Sequence, residues 1–142
     1  MPSWVERDAK RMALLYRDGP EQWSNIKLSI KQAIDDYIRI YSAPGAPDLQ
    51  YVDCGENSEN CIRVRKIPAP NGNDFSYEIT FIPDQMKIKC SLHALEYSLQ
   101  IDDGQVVIEG PGKKRLSPDE VSESALRPLF DRLPSKRPNI TL

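Results

Sequence analysis

The most regular stretch of the chain is 75–109, where apolar and polar residues alternate almost without exception. A period of two is typical of strands that turn one face to the core and the other to water. The alternation divides into four strands, at 75–81, 86–92, 95–101 and 105–109. A fifth strand is predicted at 61–67, and residues 51–53 are a candidate sixth. Short connections between the later strands favour an antiparallel meander.

The chain before the sheet follows a helical period instead. Apolar residues recur three and four positions apart in two stripes: Val5, Ala9, Met12 and Tyr16, then Trp23, Ile26, Ile30, Ile34, Tyr37 and Tyr41. Each stripe indicates an amphipathic helix with one core-facing side. Between the stripes lies Asp18-Gly19-Pro20, in which glycine favours a helix end and proline suits a first turn. We therefore predict two helices, separated at this tripeptide.

A closing helix is predicted after the sheet. The sequence Ser117-Pro118-Asp119-Glu120 has the residue types of a capping box with proline in the first turn. Apolar residues continue to Phe130, and Pro128, which lacks an amide hydrogen, should kink or interrupt the helix. The whole pattern predicts an α+β two-layer sandwich, with the N-terminal helices and the C-terminal helix on one face of a five- or six-stranded antiparallel meander. Residues 3–133 would form this single domain and 134–142 a flexible C-terminal tail.

The alternation also predicts which residues face each other across the strands. Both strands of a hairpin must turn their apolar residues to one face, which pairs Ile62 with Ile79, Phe81 with Met86 and Ile101 with Val106. One row of the polar face then alternates in charge: Arg63, Glu78, Lys89, Ser98 and Glu109. The sheet aromatics fall on the core face: Phe75, Tyr77, Phe81 and Tyr97. Proteins that bind single-stranded nucleic acids use exposed aromatic rings and an excess of positive charge. The predicted polar face has buried rings behind it and alternating charges on it. We therefore interpret it as a solvated surface and expect no nucleic-acid partner.

Composition and charge narrow the functional classes further. The 142 residues carry a formal net charge of -2, which gives no reason to expect a polyanionic partner. No run approaches the roughly 20 apolar residues that span a bilayer. The first residues contain no apolar segment of the kind that signal peptides carry. We therefore expect no membrane partner and a cytoplasmic location.

The chain contains no recognisable catalytic, metal or nucleotide motif. Cys54 and Cys61 could face each other across a hairpin loop, but two ligands do not hold zinc, and a reducing compartment disfavours a disulfide. Cys90 and His93 would point to opposite faces of one strand, which argues against a catalytic dyad. We expect no cofactor, and we expect that the protein is not an enzyme.

A basic loop at 110–115 lies between a strand and a helix, as phosphate-binding loops do. A Walker loop requires Gly-Lys-Ser/Thr directly at the helix start, whereas two basic residues intervene here. The helix cap also places two carboxylates where an anion would bind. We interpret Lys113, Lys114 and Arg115 as an exposed basic loop and a candidate interaction site.

Two functional hypotheses from different classes remain. The leading one is a non-enzymatic interaction or regulatory protein, because the first helix carries surplus apolar residues at Trp4, Leu14 and Leu15. Such a surface suits a protein partner or self-association, including a homodimer through the first helix or a sheet edge. The alternative is a small-ligand-binding module with a pocket between the helices and the apolar sheet face. Its lining would be Tyr37, Tyr41, Tyr77 and Tyr97.

Overall fold

One long helix precedes the sheet and a shorter one follows it. The computed structural model describes residues 3–41, 52–66, 75–131 and 140–141. The elements in chain order are α1 (Trp4–Tyr41), β1 (Val52–Ser58), β2 (Cys61–Lys66), β3 (Phe75–Ile82), β4 (Lys87–Cys90), β5 (Glu96–Asp102), β6 (Gln105–Glu109), β7 (Arg115–Leu116) and α2 (Pro118–Phe130). A 3-10 turn, Pro111–Lys113, joins β6 to β7. The predicted loops at 42–48 and 68–74, and most of the predicted tail 134–142, lie outside the described residues.

The strands of the described sheet are antiparallel neighbours in chain order, so the sheet is a meander. Both helices pack on its apolar face, and buried side chains of helices and strands form one core. The predicted two-layer α+β sandwich is confirmed, but its sheet has seven strands rather than five or six. The differences lie at the two edges: β1 continues to Ser58, and the two residues of β7 pair with Ile108 and Glu109.

The strand pairing follows the predicted faces, but the register differs from the prediction on both sides of β4. Lys89 pairs with Thr80 and Glu96, and not with Glu78 and Ser98 as the predicted charge row required. Ile62 pairs with Ile79 and Ile101 pairs with Val106, as predicted. Phe81, however, pairs with Ile88 and not with Met86, so the predicted register of this hairpin is wrong by two residues. Because the side-chain period of a strand is two, this shift leaves every side chain on its predicted face.

Met86 is displaced from the strand because it belongs to the preceding turn. Its φ is 49°, in the left-handed region, and its amide donates a hydrogen bond to the carbonyl of Pro83 at 3.2 Å. The side chain is 3% exposed and lies against α1 at Gly19. Met86 thus fills the space between a turn and the long helix.

Helix α1 does not end at Asp18-Gly19-Pro20, and the prediction of two helices is wrong. It runs unbroken over 38 residues with the proline inside it. Gly19 is buried where the helix meets the sheet, and a Cβ atom there would lie 2.8 Å from Met86 Sδ. The glycine therefore serves close packing rather than helix termination. Proline costs about 3 kcal/mol inside a helix, and burial of Leu15 and Trp23 on either side offsets this cost, at roughly 1.5–3 kcal/mol each.

Helix α2 begins at the predicted cap. Ser117 Oγ accepts a hydrogen bond from the amide of Glu120 at 3.2 Å, and the amide of Ser117 donates to Glu120 Oε1 at 3.1 Å. These two bonds satisfy amides that a helix N-terminus otherwise leaves unpaired. The helix continues past Pro128 to Phe130, so the proline does not end it.

Candidate binding surfaces

The polar face of the sheet is neutralised by ion pairs between neighbouring strands. Arg63 Nη2 lies 2.8 Å from Glu78 Oε1, and Lys87 Nζ lies 2.8 Å from Glu96 Oε1. Hydrogen bonds from these cations hold the pKa values of Glu78 and Glu96 below the usual range. On the other face, Tyr77, Phe81 and Tyr97 are buried and Phe75 is half-buried. The polar face therefore has the character of a solvated surface.

The cysteines and the histidine do not form a reactive cluster. Cys54 pairs with Val64 across β1 and β2, and no disulfide joins it to Cys61. Cys90 is buried, and this burial raises the pKa of its thiol, whereas His93 is exposed in a turn with φ of 59°. Within the described ranges, no group of three or more histidine, cysteine, aspartate or glutamate residues could hold a metal ion.

The basic loop after β6 is closed by its own backbone. The amide of Gly110 donates to the carbonyl of Lys114 at 2.8 Å, and the amide of Lys113 donates to the carbonyl of Gly110 at 3.1 Å. A phosphate-binding loop instead points such amides at its ligand. Lys113 and Lys114 are exposed, and Arg115 forms an ion pair with Asp102.

The four tyrosines of the ligand hypothesis serve two separate packing contacts. The Tyr77 hydroxyl donates to the carbonyl of Ala125 at 2.5 Å, and the Tyr97 hydroxyl lies 2.7 Å from Ser124 Oγ. These bonds attach the sheet to α2. Tyr37 stacks between Tyr41 and Phe130, with ring centroids 4.4 and 4.5 Å apart.

The N-terminal segment of α1, which we define as Trp4–Tyr16, carries four of the six large hydrophobic side chains that are exposed in the described chain. Every residue from Trp4 to Ala13 is exposed. The segment keeps 71% of Trp4, 54% of Val5, 40% of Met12 and 46% of Tyr16 in contact with solvent. Two bonds connect it to the sheet layer: Arg11 to the carbonyl of Ile101 at 3.5 Å, and the Tyr16 hydroxyl to the carbonyl of Asp84 at 3.0 Å.

The three residues predicted as an apolar surplus on this helix have different positions. Trp4 is exposed, Leu14 is half-buried, and Leu15 is buried in the core at 6% exposure. The exposed surface instead includes Val5, Met12 and Tyr16, whose helical spacing was visible in the sequence. Their exposure depends on how far the sheet extends along α1, which the spacing does not show.

A groove of about 370 Å³ lies between α1 and α2. Its apolar wall contains Ala33, Leu126 and Phe130, and its rim carries the charged residues Asp36, Asp119, Glu123 and Arg127. Ser122 also lines it, and this side chain is 2% exposed. None of the four tyrosines of the ligand hypothesis lines this groove.

The groove exists because small residues stand on the facing stripes of the two helices. Ser29 and Ala33 on α1, and Ser122 on α2, occupy positions where larger apolar side chains would fill the space. The serine at 122, inside the apolar stripe of α2, was the available sequence signal for a gap in the packing. The sequence does not show which residues of α1 lie opposite this serine, because that depends on how the two helices pack.

Comparisons with known proteins give no assignment for this fold or these surfaces. No protein-family model, no curated protein and no solved structure matches the chain. In the part of the chain that the structure describes, neither helix combines the length and apolar character needed to cross a membrane.

Proposed function

We propose that this chain is a non-enzymatic interaction protein that self-associates through the N-terminal segment of α1. The observation that carries the proposal is the apolar stripe of this segment, which the described part of the chain leaves exposed. Contiguous exposed apolar surface on a soluble protein commonly marks an interaction site. The occupant that we assign to this surface is the same segment of a second copy.

The stripe continues the core-facing side of the helix. Val5, Met12 and Tyr16 are seven and four positions apart, and the same spacing leads on to Gly19 and Trp23, which are buried against the sheet. Residues three, four and seven apart lie on one side of a helix. One side of α1 therefore packs on the sheet in its later part and is left without such cover in its first part.

The charges of the segment favour an antiparallel pair. Glu6, Arg7 and Asp8 give its beginning a net charge of 1 - 2 = -1, whereas Lys10 and Arg11 add two positive charges after them. When the two helices run in opposite directions with their stripes in contact, Asp8 of each copy lies near Arg11 of the other. The twofold axis therefore produces two pairs of opposite charge. A parallel pair would bring like charges together. The antiparallel arrangement has twofold symmetry, which is the commonest symmetry of homo-oligomers.

The size of the exposed stripe predicts a weak dimer. Its exposed fractions and the usual areas of large side chains give roughly 400–500 Å² on each copy. The total of about 900 Å² is below the standard size of stable interfaces, so we expect a Kd on the order of 10–100 µM.

Sedimentation velocity tests the dimer across concentrations from about 5 µM to about 1 mM, a range that brackets the expected Kd. The weight-average mass should rise with concentration from 16.2 kDa toward twice that value. Met12→Glu should keep the chain monomeric, because it places a charge inside the stripe. The matched control is Leu28→Glu, since Leu28 is 66% exposed on the same helix but outside the segment. A wild-type chain that stays monomeric at the highest concentration contradicts the proposal.

A charge exchange tests the antiparallel arrangement separately. Asp8→Arg and Arg11→Asp should each weaken the dimer by about two- to fivefold, as is usual for exposed ion pairs. The double variant should regain most of the wild-type affinity, because each copy again presents opposite charges to the other. Additive weakening in the double variant would show that these two residues do not meet.

The state of the cysteines supports a cytoplasmic location, which is part of the proposal. No disulfide joins Cys54, Cys61 or Cys90. Cysteines that form no disulfide are usual in reducing compartments, whereas secreted domains of this size often contain disulfides. Measurement of the location in intact cells, with a tagged chain, tests this part directly.

A further inference from the structure

We infer that oxidation of Met12 to its sulfoxide by a peroxide dissociates the dimer, so that the N-terminal segment of α1 is a redox-sensitive contact. This inference rests on the proposed self-association and adds the regulation of that same surface. The evidence lies in three features: the unequal exposure of the methionines, the position of Met12 in the stripe, and the twofold symmetry of the pair.

The two methionines of the described chain differ in their access to solvent. Met12 is 40% exposed, whereas Met86 is 3% exposed and lies against α1 at Gly19. Met1, the third methionine of the sequence, lies outside the described residues. A peroxide must reach the sulfur atom to oxidise it, so Met12 should react well before Met86 in the folded chain.

The reaction needs no other group of the protein. A lone pair of the thioether sulfur attacks one oxygen of hydrogen peroxide, and the O–O bond breaks. The second oxygen leaves and takes up the proton of the first, which forms water. The sulfur is oxidised by two electrons, and the peroxide is reduced by two. The product is a polar sulfoxide, from which methionine sulfoxide reductases restore the thioether, so the change is reversible.

Met12 lies near the centre of the proposed contact. The meeting of Asp8 with Arg11 of the other copy places the twofold axis halfway between these two positions along the helix. Met12 is less than one helical turn from that point, whereas Val5 and Tyr16 lie toward the ends of the stripe. A polar group at Met12 is therefore placed where an interface excludes water most completely.

The twofold symmetry doubles the effect of the oxidation. Each dimer contains two copies of Met12, and each sulfoxide oxygen must lose its bound water against the apolar side chains of the other stripe. This loss should weaken association by about threefold or more for each copy, and by about tenfold or more for the pair.

Dimer formation should in turn protect the thioether. Since the contact covers Met12, a peroxide reaches its sulfur mainly in the monomer. For a Kd on the order of 10–100 µM, the monomer fraction falls about five- to tenfold between about 5 µM and about 1 mM protein. The rate of Met12 oxidation should fall by the same factor.

The experiment compares the full chain before and after treatment with hydrogen peroxide. Peptide mass spectrometry follows the sulfoxides of Met12 and Met86, and sedimentation velocity then gives the Kd. Oxidation should raise the Kd about tenfold or more, and treatment with methionine sulfoxide reductase should restore it. Equal oxidation rates for Met12 and Met86, an oxidation rate of Met12 that ignores the protein concentration, or an unchanged Kd with Met12 fully oxidised overturns the inference.

Met12→Leu is the matched control, because it removes the sulfur and keeps an apolar side chain of similar volume. This variant is compared with itself, and its Kd should be the same before and after peroxide treatment. A weaker dimer in treated Met12→Leu would assign the effect to another oxidised group and refute the role of Met12. An untreated wild-type chain that stays monomeric contradicts the proposed function and the redox effect together, whereas a dimer that survives complete oxidation of Met12 contradicts the redox effect alone.

Discussion

The close approach of α1 to the sheet at Gly19 can be tested by adding a single methyl group. In Gly19→Ala, the new Cβ would lie 2.8 Å from Met86 Sδ and 3.5 Å from Leu99 Cδ1. The second distance is ordinary van der Waals contact, whereas the first requires Met86 or the helix to move. Two effects of opposite sign therefore compete at this position.

The sign of the change in unfolding free energy depends on which of the two effects is larger. Alanine is better than glycine inside a helix by about 1 kcal/mol, and overpacking a well-filled core costs about 1–3 kcal/mol. We expect Gly19→Ala to lower the free energy of unfolding by about 1 kcal/mol, a roughly fivefold change in the folding constant. When Met86 is first shortened to alanine, the overlap disappears, and Gly19→Ala should then stabilise by about 1 kcal/mol. The coupling between the two substitutions is thus about 2 kcal/mol, within the usual range for residues in contact.

Urea unfolding of the four proteins in this double-mutant cycle measures the coupling, provided that the m-value stays constant. Gly55→Ala is the control, because a Cβ at Gly55 meets nothing within 4 Å. If Gly19→Ala stabilises the wild-type chain as much as it does the Met86→Ala chain, α1 is not held against the sheet as described.

Two further predictions concern the attachment of α2 and the ion pairs of the sheet. Ser124→Ala should lower the free energy of unfolding in urea by about 1–3 kcal/mol, because the Tyr97 hydroxyl loses its partner. Adding Tyr97→Phe should recover part of this loss. A double variant less stable than Ser124→Ala alone contradicts the assigned bond. The pKa of Glu78 is lowered in the folded state, so its contribution to stability is present above its ordinary pKa and is lost as the pH falls through the folded value. In an NMR titration, Arg63→Gln should raise the pKa of Glu78 toward the ordinary range, and an unchanged value would mean that Arg63 is not the cause.

The alternation of the sequence was sufficient to predict the central strands of the sheet and their faces, because side-chain direction in a strand repeats every two residues. It could not determine the register of β4 against either of its neighbours, β3 and β5. That register depends on the left-handed backbone of Met86, which a methionine rarely adopts. The extension of β1 was also not predictable, since its residues after Cys54 are polar and lie at a sheet edge.

The two local signals in the helices had different outcomes for a physical reason. The capping box at Ser117 is satisfied by atoms within three residues, so its sequence predicts its structure. The glycine and proline at 19 and 20 favour a helix end by their local backbone preference alone. Tertiary packing of this part of α1 against Met86 overrides that preference. The groove, with its unpaired Ser122, required the relative position of two helices separated by the whole sheet in the sequence.

The order of the elements has a consequence for biosynthesis. Helix α1 leaves the ribosome before the sheet, but α2, which completes the cover of its core-facing side, ends 89 residues after Tyr41 at Phe130. At about 5–20 residues per second, the apolar side of α1 waits roughly 5–20 s for its last contacts. The strands, by contrast, can pair one after another as they emerge, because each lies beside its neighbour in the chain. Among the described elements, α1 is therefore the one whose apolar side waits longest for the contacts that cover it.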